Sequence, residues 1–198
     1  MTPRIRKAAQ DRKAEIVQAA IGLAGELGPD RVTTQHLADM VGVSQPAIFR
    51  HFPTKAEIWV AVGALIARKI DQEELGGQVS SPALQLEYLA KRHLGGIAQN
   101  PAIPAILFSR ELHAENDKLR AHFEQVMENR RAGFAALVAR AVDAGEFRTG
   151  LNPDDSAALI LAAIQGLAMR WSLEDRAFDL TTEGAKIMNA LFDGFRQP

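Results

Sequence analysis

Between Gln45 and His51 the sequence reads QPAIFRH and contains no acidic residue. A surface without carboxylates can lie beside the phosphates of a nucleic acid without repelling them. Gln45 can pair with adenine through two hydrogen bonds, and Arg50 can pair with guanine or hold a phosphate. Ala47 or Pro46 can touch a thymine methyl group. The residue types of this stretch therefore indicate recognition of double-stranded DNA.

Two short helices joined by a tight turn are predicted to present these side chains. Thr33 or Thr34 caps the start of the first helix, and Gly42 ends it. Ser44 is predicted to cap the second helix, which has a proline in its first turn and runs to His51. Such a pair is a helix-turn-helix, whose second helix fits the major groove, about 12 Å wide.

A capping box of the form T-x-x-E at residues 54–57 begins the next helix, which is predicted to be long. Lys55 lies in its first turn. The lysine ammonium and the free backbone N–H groups of that turn can face the same phosphate. Lys55 is therefore expected to hold the DNA backbone and to read no base.

The remaining chain predicts an all-α protein. Apolar residues make up 47% of the sequence, alanine and leucine dominate them, and helical spacing of apolar positions recurs throughout. No stretch alternates as a strand does. Apart from the two short helices, the predicted helices cover residues 11–27, 54–75, 83–99, 104–115, 117–145, 153–173 and 182–196.

Positive charge is concentrated near the N-terminus. The net charge of the chain is −1, but residues 1–55 contain eight Lys or Arg against five Asp or Glu. Arg4, Arg6 and Lys7 form a basic arm that could reach an adjacent minor groove. The asymmetry favours a polyanionic partner at this end.

The run TTQHLADMVGVSQPAIFRHFPTKAEIW resembles the DNA-binding domain of the tetracycline-repressor (TetR) family over about residues 12–60. The resemblance implies a three-helix DNA-binding domain at residues 1–53, a larger helical domain for ligand binding and dimerisation at residues 54–198, and a homodimer. It also implies the residues that contact DNA. These are Thr34, Gln35, Gln45, Pro46, Ala47, Phe49, Arg50, His51 and Lys55.

Phe49 departs from the family pattern. The family usually has tyrosine at this position, and the tyrosine hydroxyl reaches a phosphate. Phe49 keeps the apolar ring and loses that hydrogen bond, which leaves its direct role in DNA contact open. His51 has two interpretations as well, a DNA contact or a packing histidine.

The resemblance further implies an effector cavity among the helices of the larger domain. Cavities of this type are mostly apolar with a few polar groups, so the expected ligand is a small apolar or amphipathic molecule. Any single candidate could instead be an ordinary core residue. The candidates are Phe108, His113, Phe123, Met127, Phe134, Gln165, Met169 and Trp171.

The last two predicted helices are interpreted as the dimer interface. Ala158, Ala162 and Gly166 recur every four residues and form a smooth ridge that another helix can approach closely. Ile187, Leu191 and Phe195 recur at the same spacing on the final helix. Helices this apolar favour an interface, most commonly a two-fold one, over a free surface. Burial within one subunit is the alternative.

Enzymatic and metal sites are not expected. The sequence has no cysteine, no glycine-rich phosphate loop and no nucleophile elbow. Glu111, His113 and Glu115 lie two residues apart on a helix, a step that points neighbouring side chains away from each other. We therefore expect no catalytic residue, no metal and no cofactor.

No secretory signal and no membrane-spanning stretch are expected. The basic N-terminus lacks an apolar run, and no segment approaches about 20 apolar residues. The expected location is the cytoplasm, whose reducing conditions suit a chain without cysteine.

These observations predict a DNA-binding transcriptional regulator, most simply a repressor that binds a palindromic operator as a dimer and is released by its ligand. One alternative is a constitutive DNA-binding protein whose C-terminal domain only dimerises or binds a protein partner. Another is an enzyme with a DNA-binding domain, for which the sequence offers no convergent polar site.

Overall fold

A computed structural model describes residues 9–74 and 81–196. Within these residues the protein consists of ten α-helices and one 3-10 turn, with no strand, which confirms the all-α fold class. The basic arm and most of the predicted loop at residues 75–82 lie outside the described residues. The helices are α1 (Ala9–Leu27), α2 (Thr34–Val41), α3 (Gln45–Phe49), α4 (Lys55–Glu74), α5 (Pro82–Gln99), α6 (Ala102–Leu107), α7 (Arg110–Ala114), α8 (Asp117–Asp143), α9 (Pro153–Leu173) and α10 (Leu180–Asp193).

Contacts divide the chain into two compact units. The head unit comprises Met1–Ile66 and Ala105–Phe123, and the body unit comprises Ala67–Pro104 and Glu124–Pro198. The division by contacts differs in position from the domain boundary expected between residues 53 and 54. That boundary stays a prediction about which segments bind DNA and which dimerise.

Local capping sets the start and end of α2. The Thr33 hydroxyl accepts a hydrogen bond from the His36 N–H at 3.1 Å, so Thr33 rather than Thr34 is the N-cap. Gly42 ends the helix in the left-handed region at φ 70°, a conformation that costs glycine nothing. Leu37 and Ala38 face inward and are buried against the rest of the head unit.

The second short helix, α3, ends earlier than expected. It spans Gln45–Phe49, and the next two residues form a turn in which the His51 N–H donates to the Ile48 carbonyl at 2.9 Å. This i→i+3 bond tightens the last turn before Pro53. Ser44 is the N-cap residue, but its hydroxyl makes no capping bond, so the expected side-chain cap is wrong.

The single helix expected over residues 104–115 is two helices, α6 and α7. Ser109 interrupts them in an extended conformation, and its hydroxyl caps α7 by accepting from the Leu112 N–H at 3.0 Å. The same hydroxyl donates to the Asp30 carboxylate in the 3-10 turn at Pro29–Arg31. A tertiary hydrogen bond therefore holds the break in place.

The body unit has one continuous apolar core formed by α5, α8, α9 and α10. An ideal Cβ on Gly184 would lie 2.5 Å from Leu94 Cδ1, so the glycine allows α10 to approach α5 closely. Arg130 is buried beside the Phe134 ring and donates to the His93 ring nitrogen Nδ1 at 3.1 Å. Because arginine stays protonated, this bond places the proton of a neutral His93 on Nε2.

Helix α9 is long and apolar enough to cross a membrane by length and composition, which corrects the expectation that no segment has this character. Its inner face, with Ile160, Ile164 and Leu167, is buried in the body core. The apolar composition of α9 is thus explained by packing within the unit and by the small residues on its outer face.

Candidate nucleic-acid interface

The surface predicted to read bases is built on α3 and the turn after it. Ile48 is fully buried and Phe52 is 5% exposed, so these two side chains anchor the segment to the head unit. Pro46, Phe49 and Arg50 are exposed. Gln45, Ala47 and His51 are half-buried at its edges.

A hydrogen bond joins the reading surface to the start of α2. The Gln45 amide donates from Nε2 to the Thr34 hydroxyl at 2.7 Å. The Gln45 carbonyl oxygen and its second N–H remain available, and these are the acceptor and donor that a bidentate contact to adenine requires. Thr34 therefore restrains the Gln45 side chain, a contact that sequence reasoning missed because the two lie eleven residues apart.

The Gln35 side chain, which was predicted to contact DNA, already makes a hydrogen bond within α2. Its amide donates to the Asp39 carboxylate at 2.7 Å, one helical turn along α2. Asp39 is exposed, so an acidic group stands on the first helix of the pair although the run from Gln45 to His51 has none. Any DNA contact by Gln35 must compete with this bond.

Three cations of the head unit are candidates for contacts with phosphates. Arg50 is exposed and Lys55 is half-buried, and neither makes an ion pair with a residue of 9–74 or 81–196. Lys55 is the first residue of α4, whose start is capped by Thr54 through the Glu57 N–H at 3.2 Å. Lys13 on α1 holds its ammonium 5.3 Å from the centre of the Phe52 ring, a position that sequence reasoning did not single out.

Phe49 is 42% exposed and presents an apolar ring on α3. An exposed aromatic ring on a surface otherwise suited to DNA can contact a thymine methyl or a deoxyribose. The structure thus places Phe49 where contact is feasible without the hydroxyl that a tyrosine would supply.

Replacing Thr34 with valine tests its positioning role. The substitution keeps the side-chain shape and removes the acceptor of the Gln45 bond, which is worth about 0.5–1.5 kcal/mol per subunit. Operator affinity measured by fluorescence anisotropy should fall about tenfold in a dimer, chiefly through weaker discrimination at the base that Gln45 contacts. In a Gln45→Ala background the same change should cost almost nothing. An equal loss in both backgrounds would mean that Thr34 acts independently of Gln45.

The eight side chains predicted to line an effector cavity are divided between the units. Phe108, His113 and Phe123 belong to the head unit, and the other five belong to the body unit. His113 donates from Nε2 to the Leu107 carbonyl at 2.9 Å, and its ring meets that of Phe123 edge-on at 5.7 Å. Phe108 and His113 line an open groove of about 760 Å³ along α6 and α7.

In the body unit, two of the five candidates have ordinary core roles. Phe134 is 1% exposed, and the Trp171 indole donates to the Phe178 carbonyl at 2.9 Å. Gln165 and Met127 do meet, since the glutamine amide lies 3.5 Å from the methionine sulfur. Met169 is half-buried on α9. The Gln165–Met127 pair is therefore the polar contact near which the predicted effector of the body unit could bind.

The predicted dimer residues lie mostly on exposed faces. Ala158, Ala162 and Gly166 are all exposed, and Leu159 beside them is 50% exposed. Ile187 is 39% exposed on α10. The ridge formed by Ala158, Ala162 and Gly166 itself carries no large side chain, so a second helix could approach it closely.

Leu191 is half-buried and Phe195 is 5% exposed. The Phe195 ring packs edge-on against Phe147 and Phe192, with centroids 5.6 Å and 6.0 Å away. Phe195 therefore belongs to the core of its own unit, and the exposed part of the proposed interface does not include it.

Two family models match this chain. One, described as bacterial regulatory proteins of the tetR family, matches residues 16–62, and the other, described as the tetracyclin repressor-like C-terminal domain, matches residues 104–182. The chain is 31% identical over 131 residues to the nucleoid occlusion factor SlmA of Aliivibrio fischeri (strain MJ11), covering 65% of this chain and 67% of the relative. The chain belongs to the TetR family.

Solved structures share the fold of this TetR-family protein. A TetR transcription regulator from Haloarcula marismortui has a TM-score of 0.82 at 22% identity and covers 95% of this chain and 100% of its own. FadR of Bacillus subtilis in complex with stearoyl-CoA has a TM-score of 0.74 at 18% identity and covers 92% and 99%. Regulators of this family are not enzymes and bind DNA as dimers, so double-stranded DNA and a second copy of the chain are the partners of this protein.

Proposed function

We propose that this TetR-family regulator is a repressor that binds a palindromic operator as a dimer and releases it when a small molecule binds. The observation that carries the proposal is the exposed, acid-free surface of α3, with Arg50 unpaired among the described residues and Gln45 already oriented by Thr34. The nine predicted DNA residues act together in this interface, eight of them on a domain ending near residue 53 and Lys55 at the start of the next helix.

A dimer formed through α9 and α10 would give the operator its symmetry. Two recognition helices related by a two-fold axis read the same sequence on opposite strands. The half-sites are then one helical turn, about 34–36 Å, or a small multiple of it apart. The exposed small residues Ala158, Ala162 and Gly166 support this interface, because helices carrying them can pack closely.

The proposed effector is apolar or amphipathic. A structural neighbour was solved in complex with stearoyl-CoA, a molecule with a long acyl chain. Gln165 and Met127 offer one polar contact within the apolar body unit. Binding there would lower DNA affinity by favouring another arrangement of the dimer, and DNA would weaken ligand binding by the same factor. We place this activity in the cytoplasm, where a regulator meets its DNA.

Selection of DNA from a random pool by the purified protein tests the repressor proposal. The expected product is an inverted repeat whose half-sites are spaced as above, bound by a dimer. Enrichment of a single unrepeated site, or no enrichment over random DNA, would contradict it. A library of acyl compounds then tests release, with loss of binding to the selected operator as the measurement.

Replacing Lys55 with glutamine tests its proposed phosphate contact. Affinity should fall by a similar factor for operator and random DNA, because a phosphate contact carries no sequence information. The slope of log affinity against log salt should become shallower by about one unit per subunit. Loss of discrimination at one base pair, with an unchanged salt slope, would assign Lys55 to base reading instead.

A second candidate function is favoured by the relative named as a nucleoid occlusion factor. In that case the protein binds DNA constitutively, and its body only dimerises or binds a protein partner. The two functions differ in one observable. The operator affinity of a ligand-released repressor falls when its small molecule is present. The operator affinity of a constitutive binder stays the same with every compound of the acyl library and in cell extract from which protein has been removed.

A further inference from the structure

Lys13 lies in the second turn of α1, and its charged end has a defined neighbour in the helix-turn-helix. The side chain is exposed, and its ammonium lies over the Phe52 ring, 5.3 Å from the ring centre. Ile16 and Val17, three and four residues further along α1, are buried in the head unit. Positions three and four apart share one side of a helix, so Lys13 lies at the solvent end of the packed side of α1.

The start of α1 is held against the helix-turn-helix by Arg12. The Arg12 guanidinium donates to the Glu15 carboxylate at 2.8 Å and to the carbonyl of Val41, the last residue of α2, at 3.3 Å. The second bond joins α1 to the end of α2, directly before the turn at Gly42. Because Arg12 and Lys13 are consecutive, this bond also sets where the Lys13 backbone lies in relation to the two short helices.

Phe52 belongs to the segment that carries the predicted DNA contacts. It directly follows Arg50 and His51 and precedes Lys55 by three residues. Its backbone N–H donates to the Ile48 carbonyl at 3.0 Å, and its ring is buried, so the ring is fixed by α3 and by the core of the head unit. A cation held by this ring therefore lies beside the segment that joins Arg50 to Lys55.

An aromatic ring restrains a lysine without neutralising it. The face of the ring attracts an ammonium group within about 6 Å, but the ring has no net charge. Arg12 shows the contrast, because its partner is the Glu15 carboxylate, which offsets its charge. Lys13 makes no hydrogen bond or ion pair within residues 9–74 and 81–196. Its full positive charge and its N–H donors therefore remain available to an anionic oxygen.

We propose that Lys13 binds a backbone phosphate of the DNA and that Phe52 positions the Lys13 ammonium for this contact. Phosphates of the two strands line both edges of the major groove, so a free cation at the edge of the segment in the groove meets one of them. A lysine already restrained by a ring loses less side-chain entropy when it binds. The inference rests on the DNA-reading surface of the proposed function, and it does not depend on repression or on release by a ligand.

Replacing Lys13 with glutamine tests the phosphate contact on random-sequence duplex DNA. Affinity measured by fluorescence anisotropy should fall about threefold per subunit, the upper range for an exposed ion pair. The slope of log affinity against log salt, over about 50–200 mM salt, should become shallower by about one unit per subunit. Lys13→Arg keeps the charge and should keep the slope. Circular dichroism checks that both variants are folded, as expected for an exposed side chain.

The matched control is Lys186→Gln on α10, which removes an exposed lysine charge from the body unit. Its salt slope should equal that of the unchanged protein. An unchanged slope in folded Lys13→Gln, or equal changes of slope in Lys13→Gln and Lys186→Gln, would overturn the phosphate contact. A loss of affinity for the selected operator without any loss for random DNA would overturn it as well, because phosphate contacts carry no sequence information.

Replacing Phe52 with leucine tests the positioning role, because leucine keeps an apolar core side chain and removes the ring. In nuclear magnetic resonance of the free protein, the ring should shift the Lys13 side-chain signals upfield, and this shift should disappear in Phe52→Leu. DNA affinity should fall about twofold per subunit with an unchanged salt slope, since the charge remains. In a Lys13→Gln background the same substitution should cost less. An equal cost in both backgrounds, or no upfield shift, would overturn the positioning role.

The failure of this inference can be distinguished from the failure of the proposed function. If the protein selects no inverted repeat but Lys13→Gln has a shallower salt slope on random DNA, the repressor proposal fails and the Lys13 contact stands. If the protein selects an inverted repeat and Lys13→Gln keeps the full salt slope, the Lys13 contact fails and the repressor proposal stands.

Discussion

Replacing Arg50 with alanine should lower operator affinity by about 30-fold to 10⁴-fold. A bidentate contact between arginine and guanine contributes about 1–3 kcal/mol, and a symmetric dimer makes it twice. The Arg50 side chain is exposed and makes no hydrogen bond or ion pair with a described residue, so its removal leaves folding intact. Fluorescence anisotropy with the selected operator measures the loss, and circular dichroism checks the fold.

The matched control for this prediction is Arg140→Ala on α8, which removes one exposed positive charge from the body unit. Its effect on affinity should be small and should disappear at high salt. Relaxed preference at one base pair per half-site, seen only for Arg50→Ala, would identify the guanine contact. If Arg50→Ala and Arg140→Ala behave alike, the recognition surface has been assigned wrongly.

The substitution Ala162→Glu should convert the dimer into a monomer and remove most of the operator affinity. Ala162 lies between Ala158 and Gly166 on the exposed ridge of α9, and near a two-fold axis each glutamate would meet a copy of itself in an apolar interface. A monomer binds one half-site and loses the gain from simultaneous engagement, which is about 10²–10⁴-fold. Sedimentation across a range of concentrations gives the oligomeric state.

Ala121→Glu on α8 is the control for added charge at an exposed alanine of the head unit. It should leave the protein dimeric. Its stability should be nearly unchanged as well, because Ala121 is exposed in its own unit. A dimeric Ala162→Glu protein with normal operator affinity would exclude the α9 ridge from the interface and direct attention to other exposed apolar side chains, such as Tyr88 on α5.

The helices of the DNA-binding segment could be predicted from the sequence because their signals are local. Thr33, Gly42 and Pro46 act on backbone groups within four residues of themselves, so their effect does not depend on distant contacts. Because these signals are local, the TetR-family pattern of this segment can be recognised from the sequence alone. The exposure of Phe49 and Arg50 and the burial of Ile48 also follow from this local pattern.

The tertiary structure decided the features that depend on residues far apart in the chain. Helical periodicity predicts one helix through Ser109, but its bond to Asp30, 79 residues away, fixes the break between α6 and α7. Sequence spacing groups Phe195 with Ile187 on the predicted final helix. In the structure α10 ends at Asp193, and only the packing of the Phe195 ring against Phe147 and Phe192 shows that Phe195 belongs to the core.

The same distinction applies to function. Residue types in the run from Gln45 to His51 indicate a DNA-reading surface, because the hydrogen-bonding groups of a side chain are properties of that side chain alone. The orientation of Gln45 by Thr34 and the contact of Gln165 with Met127 are properties of neighbours that folding brings together. Chemistry could therefore be inferred from sequence, whereas positioning and cavities required the packed chain.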